Sequence, residues 1–239
     1  MPNGVRLHDV TLRYHLKHIA QPLLQPIGDA IVVASIGRSG STLVYDAIAK
    51  ALAAAQPVQI PGVTRRAVRD VAWNLARTEF RAGICYKTHD LPHGLVPQPR
   101  LRAVFLFGSA LDAAVSVHHA QTTRGPDWVI QHLRHLNAPG QIENILHEDA
   151  LGITAHVNAW ATCVNVPTLC LRYETLWDHI DALSEFCRLT VTLPPKQART
   201  HKPVPQALRA TARQTYDLVD HKLAALPGCF ISSPAYAER

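Results

Sequence analysis

The fold of this chain is decided by residues 30–43, which read AIVVASIGRSGSTL. Residues 30–36 are apolar and rich in β-branched side chains, a pattern that predicts a buried strand. Residues 37–40, called the glycine turn below, begin and end with glycine, and apolar positions spaced through residue 52 then predict a helix. Such a turn exposes backbone N–H groups at the positive end of the helix, so the stretch predicts a site for phosphate or sulfate.

The same alternation of strand and helix continues along the chain. Short apolar runs predict further strands at residues 83–87, 103–107 and 168–172. Helical patterns are predicted at residues 65–80, 110–119, 127–136, 150–164, 174–188 and 207–225. The alternation predicts one α/β domain over residues 1–239, a three-layer sandwich with a central, mainly parallel sheet.

Composition indicates a globular protein in a reducing compartment. Of the 239 residues, 47% are apolar and 18% are charged, which is sufficient for a sizeable core. No segment has the roughly 20 apolar residues of a membrane span, and the first residues lack the pattern of a secretory signal. Five scattered cysteines without a CxxC pair argue against a disulfide framework and a zinc site. We therefore expect a cytoplasmic protein without a membrane span.

The charge balance favours an anionic partner. The net charge is +6 and the isoelectric point is near 9.2, which is compatible with a nucleotide, a nucleic acid or an acidic glycan. The sequence has no run of four basic residues, and only 6% of its residues are aromatic, so a nucleic-acid groove is poorly supported.

The glycine turn differs from the Walker pattern GxxxxGK[ST] in the position of its cation. The Walker pattern requires a lysine after the second glycine, but Ser41 follows Gly40 here and the cation is Arg38, earlier in the turn. An ordinary magnesium-dependent nucleotide hydrolase is therefore disfavoured.

Residues 36–43 resemble the 5′-phosphosulfate loop of the sulfotransferases that use 3′-phosphoadenosine 5′-phosphosulfate (PAPS) as donor. The resemblance implies PAPS as co-substrate and a set of loop residues that bind it: Gly37, Arg38, Ser39, Gly40, Ser41 and Thr42. A second segment, Tyr86-Lys-Thr-His89 followed by Leu91 and Pro92, is similar to the Lys-Thr-His-Leu-Pro segment of members that sulfate hydroxyl groups, with Asp90 inserted. It ends a predicted strand, at the sheet edge where ligands of parallel sheets bind.

Residues 104–116 resemble the 3′-phosphate segment of the same family, which implies that Ser116 binds the 3′-phosphate of the donor. The family usually has arginine where this chain has Gly108 and proline where it has Ala110, so half of that phosphate clamp is missing. The Arg-Lys-Gly element of cytosolic members is also absent.

Two further segments complete the resemblance. Residues 171–176 are similar to the strand end that meets the adenine, which implies that Tyr173 contacts the base. Residues 201–204 are similar to the Lys-Pro-Val loop of tyrosylprotein sulfotransferases, which makes Lys202 a substitute cation for the phosphate.

The resemblance implies transfer of a sulfuryl group by in-line displacement. His89, with an ordinary pKa near 6.5, suits the general base for a hydroxyl acceptor. Arg38 is expected to stabilise the leaving phosphate and Lys87 to offset charge on the sulfuryl group, so no metal is required. Residues 118–140, which include Trp128, are the expected acceptor-facing region. The acceptor is a hydroxyl of a small molecule, glycan or peptide, such as a phenol, carbohydrate, lipid or tyrosine.

Neighbouring histidines and acidic residues leave a few alternative functions open. The pairs His118/His119 and His132/His135 lack a completing carboxylate–histidine motif such as HExxH, so we expect surface or acceptor-cleft residues rather than metal ligands. A kinase or nucleotide hydrolase with a degenerate loop needs an acidic Mg²⁺ ligand at a strand end, which neither Asp90 nor Asp112 fits well. A catalytically degenerate nucleotide-binding protein, favoured by Gly108, and a nucleic-acid-binding protein are the remaining alternatives.

Overall fold

A six-stranded sheet forms the core of the computed structural model, which describes residues 26–138, 140–197 and 204–237. The strands lie in the order β2-β3-β1-β4-β5-β6. Their bounds are β1 Ala30–Ser35, β2 Arg69–Val71, β3 Cys85–Lys87, β4 Leu101–Phe107, β5 Thr168–Arg172 and β6 Cys229–Ile231. The first five run parallel, and β6 pairs antiparallel to β5 at the edge. The prediction of an α/β protein with a mainly parallel sheet is confirmed.

Helices cover both faces of the sheet. The α-helices are α1 Ser41–Ala54, α2 Thr64–Ala67, α3 Ala110–Arg124, α4 Pro126–His135, α5 Ile153–Ala161, α6 Ile180–Cys187 and α7 Gln206–Ala225. Short 3₁₀ segments lie at Leu75–Arg77, Pro92–Gly94, Ile142–Asn144, Tyr173–His179 and Pro234–Tyr236. Within the described ranges, no helix combines the length and the apolar character needed to cross a bilayer.

Strand β1 shows why its sequence is apolar throughout. Val32 and Ala34 pack in the core that contains residues of α3, α4, α5 and α7, whereas Ile31 and Val33 pack in the core that contains residues of α1 and α6. A parallel strand covered on both faces has no solvent side, so it does not alternate between apolar and polar residues. All six of its residues are buried.

The strand order reverses direction at β1. The chain leaves β1 for β2 and β3 on one side, then crosses to β4 and continues through β5 and β6 on the other. At such a reversal of strand order, the loops after neighbouring strands separate at their carboxyl ends and leave a crevice. The glycine turn follows β1 at this edge.

Two parts of the predicted pattern are wrong. Residues 65–80 do not form one helix, because residues 69–71 pair with β3 as an edge strand and only short helical segments flank them. Residues 174–188 begin as a 3₁₀ segment and become α-helical only from Ile180. Strand β6 was not predicted, since its three residues give too short a pattern to recognise.

Candidate functional site

The glycine turn adopts a left-handed backbone at three of its four residues. The φ angles are +76° at Gly37, +55° at Arg38 and +81° at Gly40. Glycine adopts such angles without steric penalty, while Arg38 is one of the few non-glycine residues held there. No described side chain caps the N-terminus of α1, so its first N–H groups face the edge where the turn lies.

The Tyr173 ring leaves no room for a side chain at residue 40. A carbon added at Gly40 would lie 2.4 Å from Cδ2 of Tyr173. We expect Gly40→Ala to lower the free energy of unfolding by about 1–2 kcal/mol for the left-handed backbone, plus about 1–3 kcal/mol for overpacking. Gly62→Ala is the matched control, since Gly62 has φ +73° but nothing within 4 Å of the added carbon. Urea unfolding of both variants measures the difference, and equal losses would mean that the Tyr173 ring yields at no cost.

A strongly basic cavity of about 670 Å³ opens beside the glycine turn. Its ionisable lining groups, which define the basic cavity below, are Arg38, Lys87, Arg124, His89, His132 and His135. Gly40, Ser41 and Thr42 also line it, and no aspartate or glutamate of the described residues does. A cavity lined by cations and by no carboxylate of the described residues concentrates positive potential, so the arrangement suits an anion.

Lys87 ends strand β3 and reaches the first turn of α1. Its Nζ donates a hydrogen bond to Oγ1 of Thr42 at 2.7 Å. Burial lowers the pKa of Lys87; the negative charge of Asp46 opposes this, while the positive charges of Arg38 and Arg69 act in the same direction as burial. The ammonium is therefore positioned at the helix N-terminus with its charge only partly compensated, and it gains by accepting an anion.

Arg38 connects the glycine turn to α3. Its Nε donates to Oγ of Ser116 at 2.7 Å, so two residues predicted to bind opposite ends of the donor contact each other. Ser39 is directed inward instead, because its hydroxyl donates to the carbonyl of Leu106 at 3.0 Å. Gly37 is buried and does not line the basic cavity.

His89 is held from the end of β1. Its Nδ1 lies 3.1 Å from both the carbonyl oxygen and the hydroxyl of Ser35. A carbonyl oxygen only accepts hydrogen bonds, so Nδ1 carries the proton and Nε2 is the basic nitrogen. Burial lowers the pKa of His89 to about 4, and the charge of Lys87 contributes in the same direction. The imidazole is therefore neutral near pH 7, the form that accepts a proton.

Five aromatic rings line one side of the basic cavity in a continuous row. Trp128 stacks on His132 at 5.0 Å, and His132 meets His89 edge to face at 5.3 Å between ring centroids. His89 lies 5.8 Å from Trp73, which stacks on His135 at 4.2 Å. Of these, Trp73 was missed by sequence reasoning because its segment was predicted to be helical. His132 and His135, expected to be surface or acceptor-cleft residues, both line the basic cavity, and His132 is buried.

A second cavity of about 770 Å³ lies on the other side of Tyr173. Tyr173 lines this second cavity rather than the basic one, and its ring packs on Gly40. Gly108 lines it too, and a carbon added there would lie 3.0 Å from Oε1 of Glu174. Glu174 thus fills the space next to the position where the resemblance expects arginine. Lys202 lies outside the described residues.

The acidic residues weighed for a kinase have other roles. The carboxylate of Asp90 accepts from the backbone N–H groups of Leu75 and Leu91, both at 2.9 Å, and from the side-chain amide of Asn137. Asp112 lies on α3 and lines the second cavity. In the described part of the chain, no three histidine, cysteine or acidic side chains are grouped as metal ligands.

Comparison with known proteins does not place the chain in a family. No protein-family model matches its sequence, and no curated protein is significantly similar to it.

Proposed function

We propose that this protein is a sulfotransferase that moves a sulfuryl group from PAPS to a hydroxyl acceptor. One observation carries the proposal: Arg38, Lys87 and His89 line the same cavity as the glycine turn, and no carboxylate of the described residues lines it. Two cations and a neutral imidazole are the groups that sulfuryl transfer requires, whereas Mg²⁺-dependent phosphoryl transfer requires a carboxylate to hold the metal.

The donor's phosphosulfate occupies the glycine turn in this proposal. The N–H groups at the start of α1 and the ammonium of Lys87 offset charge on the transferring sulfuryl oxygens. The bond from Lys87 to Thr42 supports this role, because it holds the ammonium at the helix N-terminus before a donor arrives. Arg38 stabilises the bridging oxygen as charge develops on it, and its bond to Ser116 fixes the guanidinium across the turn.

In the transfer step, His89 is the base that accepts the proton of the acceptor hydroxyl. The acceptor oxygen attacks sulfur while the bond from sulfur to the bridging phosphate oxygen breaks, and adenosine 3′,5′-bisphosphate leaves. The proton of the acceptor hydroxyl passes to Nε2 of His89, since Nδ1 already donates to Ser35. The rings of Trp73 and His135, next to His89, form the acceptor side in this proposal. His135 falls within residues 118–140, the region expected to face the acceptor.

The nucleoside extends toward the second cavity, with Tyr173 against the base. Support comes from the contact between Tyr173 and Gly40, which makes the phosphate turn and the second cavity direct neighbours. Ser116 and Lys202 remain the proposed partners of the 3′-phosphate, since Gly108 supplies none.

We expect adenosine 3′,5′-bisphosphate to bind with equal affinity in Mg²⁺ and in EDTA, and more tightly than ATP or duplex DNA. Isothermal titration calorimetry measures all four cases. Preference for Mg-ATP would instead indicate a kinase or hydrolase, and preference for DNA a nucleic-acid-binding protein.

A transfer assay separates an enzyme from a degenerate nucleotide-binding protein. Radiolabelled PAPS is incubated with a panel of phenols, sugars, lipids and tyrosine peptides. Label transferred to one class identifies the acceptor, whereas tight bisphosphate binding without transfer to any class would indicate that catalysis has been lost.

A further inference from the structure

Nε2 of His132, a residue that lines the basic cavity, has no hydrogen-bond partner among the described residues. His132 is only 6% exposed, and its Nε2 makes no hydrogen bond to any described residue. A buried donor or acceptor without a partner lowers stability, so its presence calls for a ligand, an ion or a water that completes it.

The ring places this nitrogen against the glycine turn. A carbon added at Gly37 would lie 2.6 Å from both Nε2 and Cε1 of His132 but 3.9 Å from Nδ1. The edge of the ring that carries Nε2 therefore faces the turn. Stacking on Trp128 at 5.0 Å fixes the plane of the ring, and this contact does not require nitrogen atoms. A phenylalanine would keep the stacking and remove the unpaired nitrogen, so stability alone does not account for histidine here.

The charged groups around His132 favour an anion over a cation as the ligand of Nε2. Arg38 belongs to the glycine turn, Lys87 and His89 lie at the end of β3, and His135 follows one turn later on α4. Arg124 packs on the Trp128 ring that stacks on His132. All of these groups are positive or become positive on protonation, and no carboxylate of the described residues lines the cavity. A cation is repelled by such surroundings, whereas an anion is attracted.

We infer that His132 is an anion-binding residue of the basic cavity, which donates from Nε2 to the phosphosulfate at the glycine turn and takes up a proton when that anion binds. The inference deepens the proposed function and rests on it, since the anion is the donor. It adds a second imidazole on the donor side of the cavity, distinct from His89, which serves the acceptor.

The direction of the proton uptake follows from the surroundings of the ring. Burial, together with the nearby charges of His89 and Arg38, lowers the pKa of His132 to about 3, so the ring is neutral in the empty cavity. A bound anion opposes these positive charges and raises the pKa. Between the free and bound pKa values the complex holds more protons than the free protein. Affinity for the anion therefore rises as pH falls through the bound value and is constant above it.

Two substitutions separate the hydrogen bond from the charge. His132→Gln places an amide N–H near the position of Nε2 but does not titrate, whereas His132→Phe keeps the ring and loses both properties. His118→Gln is the control, because His118 is a half-buried histidine on α3 that does not line the basic cavity. The probes are adenosine 3′,5′-bisphosphate and inorganic sulfate.

Calorimetry in two mildly acidic buffers of different ionisation enthalpy measures proton uptake on binding. We expect uptake in the wild type and in His118→Gln, and its reduction in both His132 variants. His132→Phe should weaken binding by about tenfold or more, because it loses the hydrogen bond to the charged ligand. His132→Gln should weaken binding by less, because its amide N–H keeps a hydrogen bond to the anion.

The outcomes distinguish the inference from the proposed function. Tight bisphosphate binding with unchanged affinity and proton uptake in both His132 variants would mean that Nε2 is completed by water alone, and only this inference would fall. Absence of bisphosphate binding by the wild type would overturn the proposed function and the inference together. Thermal melting without ligand checks folding: His132→Phe should melt at or above the wild-type temperature, and His132→Gln carries the test if the phenylalanine variant does not fold.

Discussion

Arg38→Ala should reduce sulfuryl transfer by about 10²–10³-fold, the loss expected when one preorganised donor to a developing oxyanion is removed. The guanidinium lies at the mouth of the glycine turn and is fixed by its bond to Ser116, so it is already oriented before the donor binds. Because the charge also attracts the donor in its ground state, the dissociation constant of adenosine 3′,5′-bisphosphate should rise as well. Single-turnover kinetics and calorimetry measure the two effects separately.

Ser116→Ala is the matched variant for Arg38→Ala. It removes the anchor of the guanidinium but keeps the charge, so its loss in rate should be clearly smaller than that of Arg38→Ala. Equal losses in the two variants would assign the effect to Ser116 itself, as a phosphate ligand. An Arg38→Ala enzyme with a normal rate would remove the guanidinium from the mechanism.

His89→Asn should lower kcat by about 10²–10⁴-fold, the range for loss of a positioned general base. Asparagine places an amide N–H near the position of Nδ1, so the hydrogen bond to the Ser35 carbonyl is kept while the basic nitrogen is lost. Bisphosphate affinity should stay close to that of the wild type. His89→Gln has the opposite geometry and loses the anchor, and neither variant should support efficient proton transfer. Normal turnover in His89→Asn would exclude the histidine as base.

The pH dependence of the wild type tests the same residue in a different way. Protonation of His89 blocks its function as a base, so the rate falls as pH drops through its pKa. That pKa is about 4 in the empty cavity, and a bound anion raises it by opposing Lys87. The acid limb should therefore lie at higher pH for kcat, which reports the complex, than for kcat/KM of the donor, which reports the free enzyme. Coincident limbs would contradict an anion bound beside His89.

The parts of the fold that could be predicted are those whose local pattern agrees with their tertiary surroundings. Strand β1 and the glycine turn are contiguous in sequence, and their burial on both faces leaves a continuous apolar run. Residues 65–80 were mispredicted because an edge strand of three residues is set by pairing with β3 rather than by its own periodicity.

Part of the candidate site could also be predicted from the sequence, namely the residues that follow a strand next to β1. Lys87 and His89 stand at the end of a strand that pairs directly with β1, so their sequence positions alone bring them beside the turn. Trp73 reaches the cavity from the segment after β2, and His132 reaches it from α4. Their contribution depends on how those segments pack, which no short motif encodes. The unpaired Nε2 of His132 is visible only once its neighbours are known.

Asp90, the residue inserted in the segment that resembles the family's Lys-Thr-His-Leu-Pro, connects segments next to the basic cavity without lining it. Its carboxylate joins the backbone of Leu75 to the amide of Asn137, and these residues closely follow Trp73 and His135 in the chain. Trp73 and His135 stack on each other at one end of the row, so a single carboxylate that does not line the cavity connects the two chain segments that carry this stacked pair. A substitution of Asp90 is therefore expected to displace this stacked pair without replacing Arg38, Lys87 or His89.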